Sequence, residues 1–196
     1  MNITNLILNT CYKGKRSYIQ SSDVYTEATN VIKRNYGEDC WILHISFRGF
    51  IHNQVTLLTE QKDNNGTIKV KIKDKVLTLF MVESNKKVNC YKNDDDYKIK
   101  KICTIDKSII GGSVKYCNMY HPMQLIVFLT KYIHTELITS KSKWIVSQID
   151  IFNAVDDLNI GDIINVKIVN NLANKFTLSD IVINNTKHGS IRFMAL

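Results

Sequence analysis

Cys40-Trp41-Ile42-Leu43-His44-Ile45 and Lys143-Trp144-Ile145-Val146-Ser147-Gln148 open two strand-like runs, each placed after a helix-like run and ahead of further strands. The two tryptophans stand 144 − 41 = 103 positions apart. The chain thus states one plan twice, and a repeat of that length sets the architecture before any single element does.

Working outward from Cys40, the hydrophobic period is two: Trp41, Leu43, Ile45 and Phe47 share one face of a strand, and His44, Ser46 and Arg48 the other. Upstream, Ser21-Ser22-Asp23 supplies capping oxygens and a negative charge, Val24, Tyr25, Ala28, Val31 and Ile32 follow at helical spacing, and Gly37 closes the run. These signals predict a helix over 22–36, preceded by a short strand over 3–12. Downstream, 55–60 predicts a strand and Asn65-Gly66 a hairpin turn. Ile68, Val70 and Ile72 then alternate with Lys69, Lys71 and Lys73, and 76–82 predicts a strand in the middle of a sheet or at an interface.

The second half follows the same order. Residues 102–110 predict a strand, Gly111-Gly112 marks a bulge or bend, and Pro122 fits the first turn of a helix that starts near His121. Met123, Leu125, Ile126, Phe128, Leu129 and Ile133 make that helix apolar on nearly every side, so it has to be surrounded. Strands follow over 144–152, 163–169, 176–183 and 190–195, separated by turns that include Asn170-Asn171 and Lys187-His188-Gly189. Asp94-Asp95-Asp96 and its polar surroundings predict a solvated connection. The expected organisation is α+β, with a first unit over 1–84, a connection over 85–97 and a second unit over 98–196.

Of 196 residues 44% are hydrophobic, enough for a buried core, and the formal net charge of +8 favours an acidic partner. No run of eighteen apolar residues occurs and the N-terminus is too polar for a secretory signal, so no membrane span and a cytoplasmic location are expected. Cys11, Cys40, Cys90, Cys103 and Cys117 are scattered, with no Cys-x-x-Cys pair, and are expected as free, half-buried thiols. Without an export signal the triplets Asn2-Ile3-Thr4, Asn65-Gly66-Thr67 and Asn184-Asn185-Thr186 carry no weight as glycosylation sites. His44, His52, His121, His134 and His188 lack metal-ligand spacing, so no metal is expected. Lys69, Lys71 and Lys73 form a basic stripe without interleaved aromatic residues, which gives nucleic-acid binding by base stacking no support.

A long apolar helix wrapped by a curled antiparallel sheet, in the order strand, helix, run of strands, resembles the hot-dog fold of thioester dehydratases and thioesterases. Two copies in one chain resemble a double hot-dog and, more distantly, synthases of the A-factor type. The resemblance implies two tandem hot-dog-like units and an enzyme of the dehydratase, condensation or thioesterase kind. Its partners would be an acyl-CoA or an acidic acyl carrier protein, without a further cofactor, in a homodimer. In hot-dog dehydratases a histidine lies just before the central helix and an acidic residue on a helix across the dimer interface completes the pair. Met119-Tyr120-His121-Pro122-Met123 occupies that place. The resemblance therefore implies His121 as general base and Glu27, on the first helix, as its acid partner. It implies the backbone N–H groups of Met123 and Gln124 as oxyanion donors, with Gly112, Cys117, Lys69, Lys71 and Lys73 as further substrate contacts.

The glycine usual after such a histidine is missing, and the second helix carries no carboxylate before Glu136. Two alternatives stay open: a non-catalytic hot-dog-like binding or assembly protein, and a basic nucleic-acid-binding protein. Plainer roles also exist for the same residues: His121 as a helix N-cap, Glu27 as a solvated glutamate, Cys117 as a structural thiol, and the lysines as a solvated or edge strand.

Overall fold

A computed structural model describes residues 5–60, 63–138 and 142–196, in two compact units, Met1–Asp94 and Asp95–Leu196. The Asn2-Ile3-Thr4 triplet and the start of the first expected strand lie outside the described residues. Among the described residues no helix is long and apolar enough to cross a membrane.

The first unit runs β1 (Leu6–Ile7), β2 (Tyr12–Lys13), α1 (Ser21–Tyr36), β3 (Cys40–Phe47), β4 (Asn53–Leu58), β5 (Gly66–Ile72), β6 (Lys75–Lys87) and β7 (Tyr91–Lys92). Helix α1 ends where Gly37 takes φ 95°, a left-handed value that favours glycine, and its N-cap is Gln20 rather than the serines. Val24, Tyr25, Ala28 and Ile32 form its buried face against β3. Within the unit the strand order is β1-β4-β6-β5-β3, antiparallel throughout. The expected hairpin at Asn65-Gly66 is absent, because β4 and β5 both pair with β6; the hairpin turn is Lys73-Asp74, with Lys73 at φ 52°. Asn65 bonds Glu83 twice, and glycine is required at 66 because a Cβ there would lie 1.9 Å from the Ser46 carbonyl oxygen.

The second unit runs α2 (Asp96–Ile102), β8 (Cys103–Asp106), β9 (Gly111–Lys115), α3 (Pro122–Leu137), β10 (Trp144–Ile151), β11 (Ile163–Leu172), β12 (Phe176–Ile183) and β13 (Thr186–Ala195). Its strand order is β10-β13-β12-β11-β9-β8, again antiparallel. The hairpin turns are Ala173-Asn174 (φ 50° and 54°) and Asn184-Asn185 (φ 47° and 66°). Two consecutive positive φ values suit asparagine. Asn170-Asn171 and Lys187-His188-Gly189 lie inside strands instead. Helix α2 overlaps the expected connection only at Asp96 and Tyr97 and is anchored by the fully buried Ile99. Gly112 is a regular β9 residue rather than a bend: a Cβ there would lie 2.6 Å from the Thr104 carbonyl oxygen and 3.0 Å from Leu129, so glycine lets α3 approach the sheet.

The strands that follow the two long helices match closely. Both β3 and β10 have eight residues with the first, third, sixth and eighth buried, and both carry a register shift, at Ile42/His44 and Val146/Gln148. That irregularity flips the phase of burial partway along each strand. The equivalence is therefore Cys40 with Trp144, an offset of 144 − 40 = 104, and not Trp41 with Trp144. Trp41 is half-buried beneath the Lys71 ammonium, 4.8 Å from its ring, whereas Trp144 is 8% exposed in the core. Topology then diverges: β3 pairs with the third post-helix strand of its unit, and β10 with the fourth.

Cys11 and Cys90 form a disulfide, which corrects the expectation of five free thiols; Cys40, Cys103 and Cys117 are free. The bond staples β2 to its parallel partner β7, a pair that a separation of 79 residues hides from any spacing rule. Closing a loop of that length restricts the unfolded chain by about 4.5 kcal/mol. Reduction with dithiothreitol is expected to lower the denaturant midpoint of the first unit, and a Cys11→Ser/Cys90→Ser variant to match the reduced protein whether or not reductant is present. Equal midpoints for oxidised and reduced protein would show that the staple does not contribute.

Candidate active site

The second unit presents its chemistry at the N-terminus of α3. His121 is the N-cap, in extended backbone conformation, and its Nδ1 accepts the Met123 N–H at 3.2 Å. Its carbonyl oxygen accepts the Gln124 N–H at 2.9 Å and the Leu125 N–H at 3.3 Å. An imidazole can cap a helix this way only while Nδ1 is unprotonated, so the neutral ring carries its proton on Nε2. Nε2 lies 3.4 Å from Oδ1 of Asp156. The carboxylate side chain is 6% exposed and the imidazole 24%, so the pair is shielded but reachable from one side.

The segment after β10 holds Asp156 in place. Val155 is fully buried beside it, and the preceding residues are tied to β13: Phe152 N–H donates to the His188 carbonyl at 2.7 Å, and His188 Nδ1 lies 3.2 Å from the Ala154 carbonyl. At the far end of the segment, Tyr116 N–H donates to Asp162 O at 2.7 Å and Gly161 N–H to Tyr116 O at 3.0 Å. Carboxylate, imidazole and helix-terminal amide thus stand in sequence. The 3.4 Å approach of Nε2 to Oδ1 is an ion-pair distance rather than a hydrogen bond, and a carboxylate on that side of the ring favours the tautomer protonated on Nε2, with Nδ1 as the basic nitrogen. Hydropathy periodicity had no means of marking Asp156, since it sits in an irregular polar stretch.

The other expected site residues divide between the two units. Glu27 is half-buried on α1 of the first unit, and Cys117 is a half-buried free thiol between β9 and α3. Gly112 is enclosed by Thr104 and Leu129, with its Cβ direction filled by protein. Met123 and Gln124 spend their N–H groups on His121 in this conformation. Lys69 and Lys71 lie on β5, which is flanked by β3 and β6 rather than forming an edge, and Lys73 sits in the hairpin turn. Cys103 is held inert by burial, which pushes its thiol up to about 11.

One turn before the end of α3, His134 is fully buried. Its Nδ1 lies 2.6 Å from the Thr130 carbonyl and its Nε2 2.6 Å from the Thr177 hydroxyl, while the ring sits 4.4 Å from Trp144 and 4.9 Å from Phe193 by centroid. A carbonyl can only accept, so Nδ1 carries the proton and Nε2 accepts from Thr177. Burial lowers the pKa of His134 from 6.5 to about 4. The unfolded chain protonates first, so this group's contribution is complete above pH 6.5 and is lost as pH falls from 6.5 towards 4, by about 3 kcal/mol in all. His134→Gln keeps a donor and an acceptor without the titration. Its stability is expected to fall less than the parent's over that pH range in chemical denaturation, and parallel pH profiles would contradict the assignment.

No family model matches the chain, and no curated protein matches its sequence. Solved structures do match. A protein from Novosphingobium aromaticivorans DSM 12444, described as a candidate thioesterase, is 8% identical with a TM-score of 0.52, over 97% of this chain and 91% of its own. An acyl-ACP thioesterase from Bacteroides thetaiotaomicron VPI-5482 is 9% identical, with a TM-score of 0.48, over 98% and 97% of the two chains. A trans-AT PKS dehydratase domain from Brevibacillus brevis is 8% identical, with a TM-score of 0.48, over 97% and 88%. At these identities only the fold is shared, and the argument rests on the first of the three. The fold of this chain is that of the hot-dog proteins.

Proposed function

We propose that the chain is a tandem pair of hot-dog-like units that binds acyl thioesters of coenzyme A or of an acidic carrier protein, with His121 as its general base. The observation that carries this is the run Asp156 Oδ1, His121 Nε2, His121 Nδ1, Met123 N–H. Asp156 orients the ring and leaves Nδ1 basic. Turning that ring edge off the Met123 amide frees two groups together: a lone pair to take a proton from the substrate or a water, and a helix-terminal N–H to meet the thioester oxygen as it gains charge. The positive end of α3 favours the same oxyanion. Asp156 stands here in place of Glu27, because it lies beside His121 within one unit.

The tandem origin is supported by two long helices of 16 residues each and by the shared burial pattern and bulge of β3 and β10. The +8 charge suits an acidic carrier. A homodimer completes this reading; the Cys11–Cys90 disulfide counts against the cytoplasmic location expected from the sequence, because cytosolic reductants break such bonds.

In an assay of thiol release and enoyl formation over a panel of acyl-CoA thioesters, His121→Ala and Asp156→Asn are expected to lower kcat/KM at least ~100-fold, and Glu27→Gln to leave it within about twofold. Turnover by His121→Ala equal to the parent's would end the catalytic reading. The non-catalytic alternative is favoured by one observation: both ring nitrogens of His121 already have protein partners. It predicts no turnover of any thioester in the panel.

A further inference from the structure

The first unit holds an open cleft of ≈ 380 Å³, within the range of small-molecule sites, about 300–1,000 Å³. It arises from a break in the β4–β6 ladder. Asn53 pairs with Lys87 and Val55 with Glu83, so β6 uses 87 − 83 = 4 steps where β4 uses 55 − 53 = 2. The extra residues turn around Ser84, whose Oγ accepts the Lys86 N–H at 3.1 Å. Glu83 fixes the base of the bulge: Oε1 accepts the N–H groups of His52 at 2.8 Å and Asn53 at 2.7 Å, and Oε2 accepts from the Asn65 amide at 3.1 Å. On the opposite side, the N-terminal stretch leaves β4 after Leu8, whose N–H donates to Val55 O at 3.0 Å, and is then tied down at Cys11–Cys90. A bulge and a covalent bond therefore hold the two walls apart.

The lining has two chemistries. Buried Leu8 and Val88 and the disulfide make it apolar, while Lys86 and Lys87 stand exposed at its rim. Thr10, also in the lining, is 5% exposed, and its buried hydroxyl has no hydrogen-bond partner in the protein. That oxygen has no accessible surface, so it is packed behind the lining rather than presented to the cleft.

We infer that this cleft binds a small amphiphilic anion: a carboxylate or phosphate-monoester head at Lys86 and Lys87, and a short hydrocarbon body against Leu8, Val88 and Cys11–Cys90. The site lies wholly in the first unit and stands or falls independently of His121.

Titrations of octanoate, octyl phosphate, octanol and inorganic phosphate into the oxidised full chain, followed by backbone amide NMR, test it. Octanoate or octyl phosphate is expected to saturate with shifts centred on 8–11 and 86–90, and whichever does so identifies the head group. Octanol and inorganic phosphate are expected to bind at least tenfold more weakly. Lys86→Glu/Lys87→Glu changes only exposed side chains and is expected to weaken binding at least tenfold. Shifts elsewhere or none at all, octanol binding as tightly as octanoate, or undiminished binding by the lysine variant would overturn the inference.

Discussion

The second unit is organised by the need to bury α3. Pro122, Met123, Leu125, Ile126, Leu129, Thr130, Ile133 and His134 are all buried, which leaves this helix little face for water. A flat sheet covers one side of a helix; covering most of the circumference requires a long sheet that curls. Strands β9, β10 and β11 all pack on α3, and Gly112 permits the closest approach because any side chain there would meet Leu129. Burial on that scale also leaves the helix ends exposed to accounting: their unpaired backbone groups need partners. At the start of α3 the partner is His121, and near its end His134 secures the helix to Thr177.

That capping duty gives the site its character. Most N-caps are small oxygen-bearing side chains, which satisfy the amide and have little acid–base use near neutral pH. A histidine cap satisfies the same amide with an imidazole, whose Nδ1 must stay bare to accept it, and Asp156 stands at ion-pair distance from the other nitrogen. Under the proposed function, the base and the oxyanion donor are stored against each other, and a substrate that separated them would meet both. The same bonding makes His121 a sound structural cap.

The architecture was legible where packing depends on local pattern. Spacing of Val24, Tyr25, Ala28 and Ile32 marked α1, Pro122 marked the start of α3, and the density of apolar residues on α3 marked a surrounded helix. Features decided by distant partners were not. Asn65-Gly66 has the composition of a turn, but its bonds to Glu83 draw it into the sheet and the turn moves to Lys73-Asp74. The tryptophan likeness was off by one, since Trp41 takes the second, half-buried position of β3 and Trp144 the first, buried position of β10, and a shared residue type does not reveal which face it occupies. Cys11 and Cys90 meet only because β2 and β7 run parallel. Asp156 becomes visible only once the segment after β10 is placed against the start of α3.

The central claim is a protonation pattern, and nitrogen NMR of the His121 ring reads it directly. In ligand-free protein near neutral pH the account predicts a bare Nδ1 and a protonated Nε2, with both ring resonances and the Met123 amide moving when a non-hydrolysable acyl-CoA analogue saturates the protein. A ring protonated on Nδ1, or resonances indifferent to the saturating analogue, would contradict it.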